Sequence, residues 1–252
     1  MNGIRVDSTY DELSDYHKRC LPASNYWREK NGIQLIDVPT EDKHYHNYFK
    51  KSIEVRDQTI SMCPEVITIP SFSFFPKPVT NVEKSKEVNL VQLYEVIRDE
   101  KYFKRETDEL RRLYATDKKA YGNFKKYNFN YVTFSGRFAK REDSALLVHS
   151  GLLCMDLDHL PDVDRMREKI LADENITTEF LFTSPGGNGL KWVVSIDIKE
   201  CTHLEYFKAF EKYVQKKYLL KIDSACKDVS RACFVCHDPN VYINPQWLTR
   251  HS

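Results

Sequence analysis

The chain has no run of about 18 apolar residues, the minimum for a membrane-crossing helix, which removes the helical transmembrane class. Its first residues, MNGIRVDSTYDEL, are polar and lack the apolar core of an export signal. Charge of one sign is missing as well. The 38 Lys and Arg stand against 37 Asp and Glu, a net of +1, which excludes a uniformly basic nucleic-acid binder but leaves local patches open. The seven cysteines are odd in number and have no disulfide-framework spacing. Without an export signal they are expected as reduced thiols in a cytoplasmic protein. What is present, 252 residues with 41% hydrophobic and 13% aromatic content, suffices for one large or two small domains with a substantial core.

The most informative stretch runs from Leu152 to Lys191: LLCMDLDHL, a helical spacer, then TEFLFTSPGGNGLKWVVSIDI. In an extended strand, Asp156 and Asp158 project to one side and Met155 and Leu157 to the other. The two aspartate Cβ atoms then lie about 7 Å apart, which lets the carboxylates share one divalent ion or hold two. Downstream, Ser184 to Gly189 read SPGGNG. Their three glycines free the backbone for positive φ, and their N–H groups suit an anion nest. Lys191 opens the next strand. The turn is not a P-loop, because Lys191 is neither preceded by glycine nor followed by Ser or Thr. A carboxylate pair facing a glycine turn with a lysine points to a metal–phosphate site. The plain alternative is a strand whose acidic end emerges into solvent.

Residues 1–62 read as a partly ordered N-terminal extension, with a short helix over Asp11–Cys20 and a short strand over Ile33–Val38. His44 and His46 have no further ligands nearby and read as solvated surface. Val66–Phe75 has β-type residues and stops at Pro76 and Pro78, which predicts an edge strand. Helical spacing predicts one helix over Leu90–Ile97 and another over Thr107–Tyr127. Between Arg98 and Arg141, 13 basic residues stand against 6 acidic ones with aromatics interleaved, as on a nucleic-acid surface or a core stripe with a solvated basic face. Asn130–Phe134 reads as a strand that delivers Arg137 to a phosphate. Pro161 opens a helix to about Ala172. Thr202 and Glu205 form a capping box for a helix to about Leu219, with a core stripe of Leu204, Phe207, Phe210, Val214 and Tyr218. Cys233 to His237 formally match a c-type haem attachment motif, but that needs export. Zinc on Cys226, Cys233, Cys236 and His237 is opposed by regular strand geometry, which points Cys233 and Cys236 to opposite faces. The expectation is a core strand with reduced thiols.

Taken together, FSGRF, GLLCMDLDHL, TSPGGNGLKW and CKDVSRACFVCHDPNVY resemble the N-terminal domain of VirE-type proteins, a family encoded largely on bacterial mobile elements and placed in the archaeo-eukaryotic primase superfamily. The resemblance runs from about Pro78 to Pro245. It implies an α+β fold over 63–252, with an RRM-like antiparallel sheet core of primase–polymerase type flanked by helices. It also implies metal-dependent nucleotidyl transfer in replication of a mobile element. The partners would be a single-stranded DNA template, nucleoside triphosphates and a helicase module in cis or in trans, with no membrane. Superfamily sites combine an acidic pair, a glycine-containing turn with a histidine, and a third acid. The resemblance assigns Mg²⁺ or Mn²⁺ to Asp156, Asp158 and Asp223, with Asp228 as the alternative third acid. On this reading nucleotide phosphates fall to the glycine turn, Ser184, Gly186, Gly187 and Gly189, and to Lys191, with Arg231 beside them, and the basic stretch places nucleic-acid backbone on Arg137, Lys140 and Arg141. Lys191 stands where the histidine is expected, and a lysine is a point charge and a poor proton shuttle at neutral pH. The alternative is therefore a catalytically weak nucleic-acid- and nucleotide-binding module with a vestigial site. A Toprim-type nuclease, which also uses DxD, wants a glutamate ending an earlier strand, and none is found. Sugar-nucleotide transferases share the DxD alone.

Overall fold

The computed structural model describes residues 9–13, 18, 21, 25, 28–41, 43 and 68–249, and the chain divides into two units, 1–67 and 68–252. In the first unit, Leu13, Leu21, Ile36 and Val38 form a small core with Tyr10 against it. Residues 33–38, expected as a strand, have no regular structure. Side chains take the place of a neighbouring strand: the Asn25 amide donates to Ile36 O (2.9 Å) and accepts from Ile36 N (3.0 Å), and Arg28 donates to Gln34 O (3.0 Å). His44, His46 and most of the helix expected over Asp11–Cys20 lie outside the described residues.

The second unit holds two four-stranded sheets and a hairpin, all antiparallel. The strands are β1 (Ser71–Phe75), β2 (Lys86–Asn89), β3 (Tyr131–Thr133), β4 (Gly136–Phe138), β5 (Leu146–His149), β6 (Leu152–Leu157), β7 (Thr178–Thr183), β8 (Leu190–Ser195), β9 (Cys233–Phe234) and β10 (Tyr242–Ile243). The first sheet runs β2-β1-β3-β9, the second β10-β7-β8-β6, and β4 pairs β5. The helices are α1 (Leu90–Arg98), α2 (Glu100–Thr116), α3 (Lys118–Asn128), α4 (Val163–Leu171), α5 (His203–Tyr218) and the short α6 (Pro245–Leu248). The unit is thus α+β, with antiparallel sheets flanked by helices.

Strand alternation divides the second sheet between two cores. One face carries Leu152, Phe180, Phe182 and Val193, which join Phe72 and Val132 of the first sheet, Leu90, Leu93 and Ile97 of α1, and Leu110 of α2. The other face carries Leu153, Met155, Leu157, Leu190, Trp192 and Val194, packed on Ile170 of α4 and on Phe207 and Val214 of α5. Cover on both faces explains why β6, β7 and β8 read as nearly unbroken apolar runs.

Four expectations change in detail. β1 is interior, between β2 and β3, because Pro76 and Pro78 follow its last paired residue and so remove no ladder hydrogen bond. The helix expected over Thr107–Tyr127 is two helices, broken at Asp117, whose carboxylate caps α3 by accepting from the N–H groups of Lys119 and Ala120 (both 2.9 Å). α4 starts after Asp162, whose side chain accepts from Arg165 N, so Pro161 lies before the helix rather than in it. The Thr202–Glu205 capping box forms in both halves, but Leu204 in the first turn of α5 faces solvent.

Candidate functional site

β6 and β8 are antiparallel neighbours, and their register sets Asp156 directly opposite Lys191. Both side chains project to the face shared by Cys154 and Val193, where cross-strand partners touch. Only 10% of the Asp156 side chain and 7% of the Lys191 side chain are exposed, and the Lys191 ammonium is hydrogen-bonded to Asp156 Oδ2. Burial pulls the Lys191 proton affinity down, and the Asp156 carboxylate more than offsets this, leaving the lysine firmly charged. Asp156 Oδ1 is buried and has no hydrogen-bond partner.

Asp158 lies just past the end of β6 and is exposed. It and Asp156 both lie close enough to Tyr121 and Lys125 of α3 for their charges to bear on those groups. Asp223 comes next to Asp156 through the backbone, its N–H donating to Asp156 O (3.1 Å). Its carboxylate is already engaged: Oδ1 accepts from Ala225 N (3.0 Å), capping the 3₁₀ turn Ser224–Lys227, and Oδ2 is ion-paired with Arg231. Asp228 lines a cleft together with Asp156, Lys191, His203, Cys226 and Arg231. The cleft holds about 20 Å³, room for roughly one water.

This donor set does not fit a divalent ion shared by Asp156, Asp158 and Asp223. Two of the three acids already hold a cationic side chain, and a metal would have to displace both Lys191 and Arg231. Among the described residues, no group of three or more His, Cys, Asp or Glu is placed to share a cation.

The glycine turn is folded inward rather than laid open. Ser184 N donates to Gly189 O (2.8 Å), closing the turn, and Gly187 N donates to Ser184 O (2.9 Å), so one of the glycine N–H groups expected for an anion is used within the turn. Of its three glycines only Gly187 takes a positive φ, +83°. Gly189 answers a different need: a Cβ there would lie 2.5 Å from Leu157 O. The turn docks on α2 and α3, with Asn188 Nδ2 donating to Tyr114 Oη (2.9 Å), Arg111 Nε donating to Pro185 O (3.4 Å), and Gly186 against the Tyr121 hydroxyl.

The three arginine and lysine residues expected on nucleic acid all have partners within the protein. Arg137 pairs with Glu87 (2.8 Å), Lys140 with Glu142 (3.8 Å), and Arg141 donates to Tyr131 Oη (3.2 Å) and Val79 O (3.3 Å). The basic excess is also uneven. α2 carries five basic and four acidic residues, several paired within it: Lys104 with Glu100 and Asp108, and Arg112 with Glu109. α3 carries Lys118, Lys119, Lys125 and Lys126 and no acid.

Several groups at the site escaped the sequence reading. Lys125 is half-buried, its ammonium 5.3 Å from the centroid of the Phe234 ring, and its proton affinity is lowered by burial and then by the Lys191 charge. Spacing on α3 could have found it, since Tyr121 and Lys125 are four apart and share a face. His203 lines the cleft and its Nδ1 meets His149 Nε2 at 3.1 Å. Burial and then the His203 charge push His149 down to about 4. Only long-range pairing brings these histidines together, and spacing carries no trace of it. The cysteines depart from alternation: Cys233 and Cys236 lie in the same core, because β9 is two residues long and ends before Cys236. Cys154 Sγ donates to Cys233 Sγ (3.9 Å), Cys236 Sγ donates to Thr183 O (3.1 Å), and burial pushes Cys226 and Cys236 up to about 12.

Residues 123–243 match the family model described as BT4734-like, N-terminal domain. That segment contains α3's Lys125, the β6–β8 pair and the Asp223–Arg231 pair, and it leaves out α1 and α2. No curated protein and no solved structure gives a significant match.

Proposed function

We propose that the 68–252 unit is a nucleic-acid-binding module of primase–polymerase type whose acidic centre is closed, with α3 as its phosphate-facing surface. The buried Asp156–Lys191 pair is the observation that carries this reading. It places a protein cation on the carboxylate that metal-dependent transfer would need, and Arg231 does the same on Asp223. The four lysines of α3, with no acid among them, supply the local excess that the chain's net charge of +1 hides. Tyr114 and Tyr127, exposed on and beside α3, add aromatic surface of the kind on which bases stack. The resemblance to VirE-type N-terminal domains supports a role in replicating mobile DNA beside a helicase.

A second reading, metal-dependent nucleotidyl transfer with Mg²⁺ or Mn²⁺, is favoured by one observation. Asp156 Oδ1 is buried without a hydrogen-bond partner, an acceptor that a cation could use. It requires Lys191 to leave Asp156.

Fluorescence anisotropy of a labelled single-stranded oligonucleotide, titrated with protein in EDTA, tests the first reading. Saturable binding without metal, weakening steeply with salt, is expected. Binding that appears only when Mn²⁺ is added would favour the second reading.

A further inference from the structure

Three cations surround the acidic centre, and two of them are committed: Lys191 to Asp156 and Arg231 to Asp223. The third, Lys125, makes no ion pair among the described residues. Its contact is the Phe234 ring, and it lies where Asp156, Asp158 and Lys191 all act on it. Tyr121 stands one turn earlier on the same face of α3, with its hydroxyl against Gly186, where a Cβ would lie 2.8 Å from it. α3 therefore presents a hydroxyl and a half-buried ammonium together, between the glycine turn on one side and β9 on the other.

We infer that Lys125, rather than Lys191, is the cation that takes a phosphate group at this site, with Tyr121 as a neighbouring hydrogen-bond donor. The inference rests on the nucleic-acid reading above and names the residue that does the binding. A half-buried ammonium without an ion pair bears a desolvation cost that an anionic oxygen can offset through a charge-assisted hydrogen bond. Lys191 gains little from a phosphate, because its charge is already met by Asp156. The lowered proton affinity of Lys125 agrees with a cation still short of a counter-charge. Asp158, exposed on the same side, opposes the incoming phosphate and tunes its affinity.

The phosphate belongs either to a strand backbone or to a free nucleotide, and two titrations separate them: labelled oligothymidylate by anisotropy, and ATP by calorimetry, both in EDTA. Lys125→Ala is expected to weaken binding about tenfold or more and to flatten the salt slope for the single strand by about 0.7, one phosphate contact. Lys125→Arg keeps most of the affinity, and Asp158→Asn tightens it. Lys208→Ala, on α5, leaves both affinities unchanged, and thermal melts verify that each variant is folded. An effect on the oligonucleotide alone assigns the site to strand phosphate, and an effect on ATP as well assigns it to nucleotide phosphate. Wild type that binds while Lys125→Ala binds equally well overturns this inference and leaves the nucleic-acid reading standing. Wild type that binds neither probe overturns both.

Discussion

Lys191 is the residue on which the two readings of the site divide. Its sequence position, just after a glycine turn, matches a phosphate ligand as readily as a structural cation. The deciding fact is its cross-strand partner, Asp156, and register between β6 and β8 is not visible in either strand alone. Removing one member of a buried ion pair strands the other charge, so Lys191→Ala is expected to lower unfolding free energy in urea by about 3–5 kcal/mol. Lys191→Met combined with Asp156→Leu should recover much of that loss, since neither charge is then left buried. A Lys191→Ala protein as stable as wild type would place this ammonium in solvent. A second residue-scale prediction concerns His149, held at about 4 by burial and by His203 against an ordinary 6.5. Between those values the unfolded chain binds a proton that the folded protein refuses. Stability from this group is therefore full above about pH 6.5 and is lost as pH falls towards 4. His149→Gln should flatten the decline of unfolding free energy across that window, measured by urea titration at successive pH values.

Most of the elements were legible because their signals are local. The capping box at Thr202 and Glu205, the stripe of α1 and the apolar runs of β6, β7 and β8 each declare a helix start, a helix face or a buried strand from neighbouring residues. The break at Asp117 was hidden by an apolar stripe that continues across it, and only the cap marks where α2 stops. Asp117→Ala should therefore cost about 1 kcal/mol, read as a lower Tm, with oligonucleotide binding reduced because α3 frays at Lys118 and Lys119. The glycine turn was recognisable, but its role was not. Three glycines in six residues suggested an open nest, whereas Gly189 is small because Leu157 O approaches it. Gly189→Ala would set a methyl group 2.5 Å from that backbone oxygen, next to Asp158. Neither backbone can yield without shifting β6 against the turn. A fall in Tm larger than that of Gly122→Ala, where nothing lies within 4 Å, is the expected outcome.

Within the 68–252 unit the site depends on pairing among distant segments: α3, β6, the glycine turn, β8 and the Asp223–Arg231 loop. The sequence contained every candidate acid and base. It did not show which carboxylates were already matched, because that depends on which strands are neighbours. The basic excess over 98–141 likewise resolves only in three dimensions: α2 is nearly balanced and partly self-paired, whereas α3 carries four lysines and no acid. If four α3 lysines meet strand phosphates, the logarithm of oligonucleotide affinity should fall with that of salt concentration at a slope of about −3. A slope near zero would remove α3 as the interface. The closed acidic centre is tested most directly by primer synthesis on single-stranded DNA with nucleoside triphosphates and Mn²⁺, using a preparation whose oligonucleotide binding has been verified. Intact binding and no product above background are expected. Product formed by wild type and abolished by Asp156→Asn would contradict a closed acidic centre.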